Sequence, residues 1–226
     1  MSINLYLEQS GLSALLQGQE AAIEQAVTAL KSQLAAVAAP AVTWSYQVPE
    51  LGEGGACSLF GQLAEQPYDL AATLGQNEAT AQALSQLTAV VQNYQQSNDS
   101  DWFGIYQKRQ NPQGDTVLVK LAYFGAASRA EFPLTTEFAQ ISNNSTVGLT
   151  GKAKVINDVT AYLTAGGEYY TCDPKVLSEA CLPLFNSKGE LAGIIDAEAF
   201  KRQAYHTEAL VRLVAICLVL PDLLPA

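Results

Sequence analysis

Apolar residues recur every three or four positions in three stretches of the chain. Ile23, Val27, Leu30 and Leu34 share one face across residues 19–37, among Ala, Gln and Glu, which predicts an amphipathic helix stopped by Pro40. Ala83, Leu84, Leu87, Val90, Val91 and Tyr94 predict a second helix over 77–94, ended at Ser97-Asn98-Asp99-Ser100. Leu210, Leu213, Val214, Cys217 and Leu220 predict a closing helix over 205–220. Between the second and third helices the pattern becomes that of strands. Trp102 to Lys108 and Thr116 to Phe124 read as strands joined by the turn Asn111-Pro112-Gln113-Gly114-Asp115. Lys154 to Asn157 reads as a short strand. Ala180 to Phe185 and Leu191 to Ala197 read as a hairpin across Asn186-Ser187-Lys188-Gly189.

These elements imply an α+β fold, with a central antiparallel sheet of five or six strands flanked by helices. The helices at 77–94 and 205–220 cover one face. The other carries segments 125–152 and 158–178, read as loops, where a small-molecule pocket is expected. Residues 40–76 read as irregular, with Pro49, Gly52, Gly54, Gly55, Pro67 and Gly75. They suggest a boundary between an N-terminal helical and irregular extension, 1–76, and the main domain, 77–226. The Ala- and Gln-rich first helix, with its one apolar face, is a candidate docking face for a homodimer.

Charge narrows the partners. Asp and Glu outnumber Lys and Arg by 22 to 12 in 226 residues, a net charge of −10. That repels phosphate backbones and anionic lipid, so neither nucleic acid nor a membrane is expected as partner. The apolar run Leu210–Leu220 is interrupted by Arg212 and stopped by Pro221, so it is no membrane span. The first basic residue is Lys31, which argues against a signal peptide. Cys57, Cys172, Cys181 and Cys217 lack zinc-like spacing, so free thiols in a cytoplasmic setting are expected, with no metal. The single histidine, His206, stands at a helix start without a nucleophile motif and reads as a solvated residue.

Several motifs then fall in order. Trp102-Phe103-Gly104-Ile105-Tyr106 opens the sheet. Asn157-Asp158-Val159, Cys172-Asp173, Ser178-Glu179, Leu182-Pro183-Leu184-Phe185 and Gly193-Ile194-Ile195-Asp196-Ala197-Glu198 follow. Over residues 77–220, and most sharply over 157–198, the chain resembles the GAF-domain enzymes that reduce free methionine-R-sulfoxide. The resemblance implies a GAF-like fold and a thiol-dependent oxidoreductase that needs no cofactor. It further implies free methionine sulfoxide or a related small molecule as substrate, and a thioredoxin-like or low-molecular-weight thiol as reductant. In that family's terms Cys172 is the catalytic thiol, Glu179, Asp196 and Glu198 are the acids, and Trp102, Tyr106 and Asp173 line the substrate site. The chain also departs from the pattern. The family's upstream cysteines are absent between Cys57 and Cys172, and Asn144 or Thr150 stands where one is usual. Glu198 replaces an Asp. The alternative reading is a non-catalytic GAF module that senses a small molecule.

The residues permit that chemistry without compelling it. Cys172 lies in the polar Tyr169-Tyr170-Thr171-Cys172-Asp173-Pro174 segment, suited to an accessible thiol. Asp196 and Glu198, two apart on a strand, share a face: either they line a pocket, where mutual repulsion keeps a proton available, or they edge the sheet in solvent. Trp102 and Tyr106 also share a face, as clasp for a thioether or as ordinary core. Cys181, two residues from Glu179, either approaches the pocket or packs; Cys217 packs. Cys57 and Cys181 are the candidate resolving thiols, against direct reduction of a Cys172 sulfenic acid by an external thiol.

Overall fold

The alternating segments pair into one six-stranded antiparallel sheet. The computed structural model describes residues 1–38, 40–53, 58–169 and 173–226. The N-terminal third holds α1 (Ile3–Ser10), α2 (Glu20–Ala36), β1 (Ser45–Tyr46), β2 (Pro49–Leu51), β3 (Ser58–Leu63), β4 (Tyr68–Asp69) and α3 (Leu70–Leu74). Then come α4 (Glu78–Gln95), β5 (Trp102–Gln110), β6 (Thr116–Phe124), β7 (Glu131–Pro133), α5 (Thr136–Ala139), α6 (Asn143–Thr150) and β8 (Lys154–Ile156). The chain closes with α7 (Val159–Thr164), β9 (Ser178–Phe185), β10 (Leu191–Ala199) and α8 (Thr207–Val219). The sheet order is β7-β6-β5-β10-β9-β8.

Period-two alternation sorts the strands onto two faces. Phe103, Ile105, Ala180, Leu182, Ile195 and Ala197 point to the helical side and join one core with Leu87 and Val90 of α4 and Leu213 and Val214 of α8. Each such buried side chain contributes roughly 1.5–3 kcal/mol of hydrophobic free energy. Cys217 packs in this core, and burial pushes its thiol up to about 12. Trp102, Tyr106, Cys181 and Ile194 point the opposite way, into a smaller cluster with Leu118, Phe132 and Val147.

One irregularity matters for the site. Ile105 of β5 faces Ala122 of β6, but Tyr106 faces Lys120, so Leu121 is an extra residue and the strand bulges. Leu121 and Ala122 both turn to the helical core. Lys120 and Tyr123, three apart, therefore both reach the opposite side.

Several segments read as irregular or as loops, or given no element, are ordered. Residues 3–10 form a helix capped by the Ser2 side chain and ended by Gly11 at φ 80°. Its buried apolar residues, Tyr6 and Leu7, are adjacent and too few to show a period. Segment 40–76 contains β1 to β4 and α3; three of these strands are two or three residues long, too short to alternate, and the six residues of β3, SLFGQL, do not alternate strictly. Segment 125–152 contains β7, α5 and α6, and 158–178 contains α7; β7 is only three residues long, and the helices are hidden by polar helix-start residues that look like loop composition.

The N-terminal third joins the main core. Tyr6, Leu7, Leu12, Leu16, Ile23 and Leu30 lie in the same apolar cluster as α4, α8 and the sheet. The Tyr6 hydroxyl donates to the Pro183 carbonyl at 3.0 Å. The apolar face of α2, read as a docking face, is thus occupied within the chain. No helix among the described residues is long and apolar enough to cross a membrane.

Candidate functional site

The face opposite α4 and α8 carries the acids. Register places Glu198 of β10 directly between Trp102 of β5 and Glu179 of β9, and Asp196 between Gly104 and Cys181. Like charges directly opposite on a sheet destabilise it, so Glu179 facing Glu198 is a cost the fold must offset. Glu179, Asp196, Glu198, Trp102, Tyr106 and Asp173 all line one pocket. Its wall is completed by Ala126, Ala127 and Ser128, by Ser142, Asn143 and Asn144, and by Asp101, Phe132, Phe60 and Phe200.

Helix α6 supplies the compensation. Ser142 caps it, its hydroxyl accepting from the Ser145 N–H, so that the first turn starts against the acids. Asn143 donates through Nδ2 to both Glu179 carboxylate oxygens at 3.0 Å. Asn144 donates through Nδ2 to Asp196 Oδ2, also at 3.0 Å. Asp196 Oδ1, in a side chain only 3% exposed, has no hydrogen-bond partner among the described residues. An unsatisfied buried oxygen at a pocket wall is expensive unless a ligand or proton meets it.

The electrostatics follow from this burial. Burial raises the Glu179 carboxyl, while Tyr169, Asn143 and Lys154 pull it back toward the charged form. Burial first, then the charges of Glu179 and Glu198, hold Asp196 well above the usual carboxylate range. Glu198, partly open at the pocket but walled by the other acids, is pushed up to about 8 by burial, then Glu179 and Asp173, with Lys120 opposing. The three titrate as a unit, and a proton stays in the pocket at neutral pH.

The aromatic side is built around a glycine. A Cβ at Gly104 would lie 2.3 Å from Trp102 Cη2 and 3.1 Å from Tyr106 Cε2. Only a glycine there lets Trp102 and Tyr106 close over it, their centroids 6.4 Å apart. Trp102 Nε1 donates to the Ala126 carbonyl at 3.0 Å.

Of the residues singled out in the sequence, Glu179, Asp196, Glu198, Trp102, Tyr106 and Asp173 converge. Cys172 and Cys57 lie outside the described residues. Cys181 is fully buried beneath Asp196, and burial, then Asp196 and Glu179, push its thiol well up; it is not part of the pocket lining. Thr150 is exposed and bonded to its own helix, whereas Asn144 faces the acids. His206 is exposed at the start of α8 without a side-chain cap bond. Asn143, Tyr169, Lys120, Ser128 and Phe60 were not given roles by the sequence. The signal for Asn143 was the Ser-x-x-Ser spacing of a helix cap, read as a loop.

No protein-family model and no curated protein matches the chain. Solved structures do. A type II free methionine-R-sulfoxide reductase from Thermoplasma acidophilum aligns at TM-score 0.55 and 24% identity, over 65% of this chain and 94% of that one. Free methionine-R-sulfoxide reductase from Neisseria meningitidis, in complex with its substrate, aligns at 0.52 and 20%, over 65% and 79%. A GAF domain aligns at 0.53 and 14%, over 91% of this chain and 89% of that one. At such identities the likeness is one of fold, and the fold is that of a GAF domain, as the sequence resemblance implied.

Proposed function

We propose that this GAF-fold chain reduces free methionine-R-sulfoxide to methionine at the carboxylate pocket. The observation that carries the reading is the convergence of buried Glu179 and Asp196 and half-buried Glu198 beside Trp102 and Tyr106, with Asp173 in the lining. Asp173 follows Cys172 in the sequence. A thiol to attack sulfur and an acid to protonate the departing oxygen are what the first step of sulfoxide reduction needs. The negative pocket suits the ammonium of a free amino acid, and the rings suit its methylthio group.

The step balances as follows. Cys172 sulfur attacks the sulfoxide sulfur while a protonated acid of the trio donates to the sulfoxide oxygen. The sulfur–oxygen bond of the substrate breaks and oxygen passes to Cys172 as sulfenic acid. Cys172 is oxidised by two electrons and the substrate sulfur is reduced by two. A thioredoxin-like or small external thiol then condenses with the sulfenic acid, releasing water, and a second thiol frees Cys172 as a disulfide departs. The fully buried, proton-bearing Cys181 suits a packing role better than that of resolving thiol. Residues 1–76 act as an extension folded onto the 77–226 unit.

A second reading has its own observation. Asn144, one of the two positions that stand where a thiol is usual in the family, bonds Asp196, which favours a GAF module that binds an amino acid without turnover. Thioredoxin-coupled NADPH consumption with free methionine-R-sulfoxide separates the two. Turnover that Cys172→Ser abolishes and Cys217→Ser retains, with dimedone labelling Cys172 after one equivalent of substrate, is the expected result. Methionine binding without NADPH consumption in the wild type selects the sensor.

A further inference from the structure

Two carboxyls of the pocket meet two consecutive asparagines, and they are met differently. Asn143 Nδ2 donates to both oxygens of Glu179 at 3.0 Å. Asn144 Nδ2 donates to Asp196 Oδ2 alone, also at 3.0 Å. Asp196 lines the pocket, and its Oδ1 has no partner among the described residues. All four side chains are buried, so water competes little for these bonds.

The seating of α6 fixes this difference. Ser142 takes the capping role, which leaves the side chains of the next two residues free to reach the strands. Consecutive helical residues point about 100° apart, so Asn143 meets β9 while Asn144 meets β10. The Ser145 hydroxyl donates to the Pro133 carbonyl at 2.7 Å and pins the first turn to β7. Further along, a Cβ at Gly148 would lie 2.6 Å from Leu134 Cδ2 and 2.9 Å from Leu118 Cδ1, so only a glycine lets the helix lie this close to β6. The two amides are thus held by the packing of the whole helix.

Hydrogen-bond chemistry turns this geometry into an assignment. A carboxylate only accepts, whereas a carboxylic acid donates from one oxygen and accepts at the other. Glu179, with a donor on each oxygen, is matched as a carboxylate. Asp196 has a donor on one oxygen and none on the other, the pattern of an acid whose carbonyl oxygen is Oδ2. Burial, then the charges of Glu179 and Glu198, favour that neutral form. We propose that Asn144 is a positioning residue: by occupying Oδ2 it fixes the Asp196 proton on Oδ1, the oxygen left open to a ligand. Asp196 then presents a donor, and Glu179 the negative charge, from neighbouring strands. A ligand with an oxygen acceptor at that point is favoured over a thioether, whose sulfur accepts weakly. That preference rests on reading the pocket as a sulfoxide site; the position of the proton does not.

The test is infrared spectroscopy of ligand-free full-length protein at neutral pH, with the aspartate carboxyls labelled with carbon-13. The acid C=O stretch of Asp196 is assigned by its loss in Asp196→Asn. A carbonyl that accepts a hydrogen bond absorbs at lower wavenumber than one that does not. Asn144→Leu keeps the size of the side chain and removes its donor, so the Asp196 band is expected to move to higher wavenumber. An unmoved band in folded Asn144→Leu overturns the proposal, because the carbonyl oxygen is then Oδ1 and the proton lies toward Asn144. Absence of an Asp196 acid band from the wild type overturns it as well. Should Asn144→Leu not fold, the wild-type band decides by comparison with a monomeric carboxylic acid in a dry apolar solvent. A lower wavenumber in the protein supports the proposal, and an equal one overturns it. Turnover is not read, so this inference and the reductase reading fail separately.

Discussion

A carboxyl that keeps its proton because it is buried weakens the fold as pH rises through a definite window. Glu198 sits near 4.5 in an unfolded chain and is pushed up to about 8 when folded. Between those values the folded state holds a proton that the unfolded state has released, so stability falls as pH rises through the window. Glu198→Gln carries no such penalty. The variant is expected to match wild type at pH 4 and to exceed it at pH 8 by about 1–2 kcal/mol. Each pH unit between the two midpoints is worth at most about 1.4 kcal/mol, and solvent at the partly open side chain screens much of that. Denaturant midpoints at the two pH values check this; equal midpoints at pH 8 mean that Glu198 titrates normally. The same substitution is expected to impair turnover, which places activity and stability in opposition at one side chain.

At the scale of elements, what the sequence disclosed depended on length. Strands of eight or nine residues, β5, β6, β9 and β10, showed their alternation, and with it the shared face of Trp102 with Tyr106 and of Asp196 with Glu198. The two- and three-residue strands before residue 70 gave no period to read. Lys120 was missed for a sharper reason: strict alternation puts residues 120 and 123 on opposite faces, and only the bulge unites them. Asn143 was missed because helix-capping polar residues and loop residues are the same types. Gly104 links element to site. Gly104→Ala forces Trp102 off its seat and is expected to cost about 1–3 kcal/mol as overpacking, with a shift in Trp fluorescence and weaker methionine binding. A variant that binds as tightly as wild type means that the glycine does not shape the pocket.

At the scale of the whole molecule, the N-terminal third is integral to the apolar core. Tyr6, Leu7, Leu12, Leu16, Ile23 and Leu30 lose their burial if α1 and α2 are removed. At roughly 1.5–3 kcal/mol each, their sum rivals a typical total stability of about 5–15 kcal/mol. A 77–226 fragment is therefore expected to lack a cooperative thermal transition by circular dichroism. A sharp melt near the full-length Tm means instead that the extension is dispensable. The extra residue Leu121 has a further consequence for anyone aligning chains of this fold. A gap-free alignment across β6 keeps sequence positions in step but exchanges the two sides of the sheet beyond residue 121. A relative without the insertion is then misread as lacking the lysine, or as burying it among leucines, although its strand is sound. Strand residues on either side of the bulge have to be compared as two separate ladders.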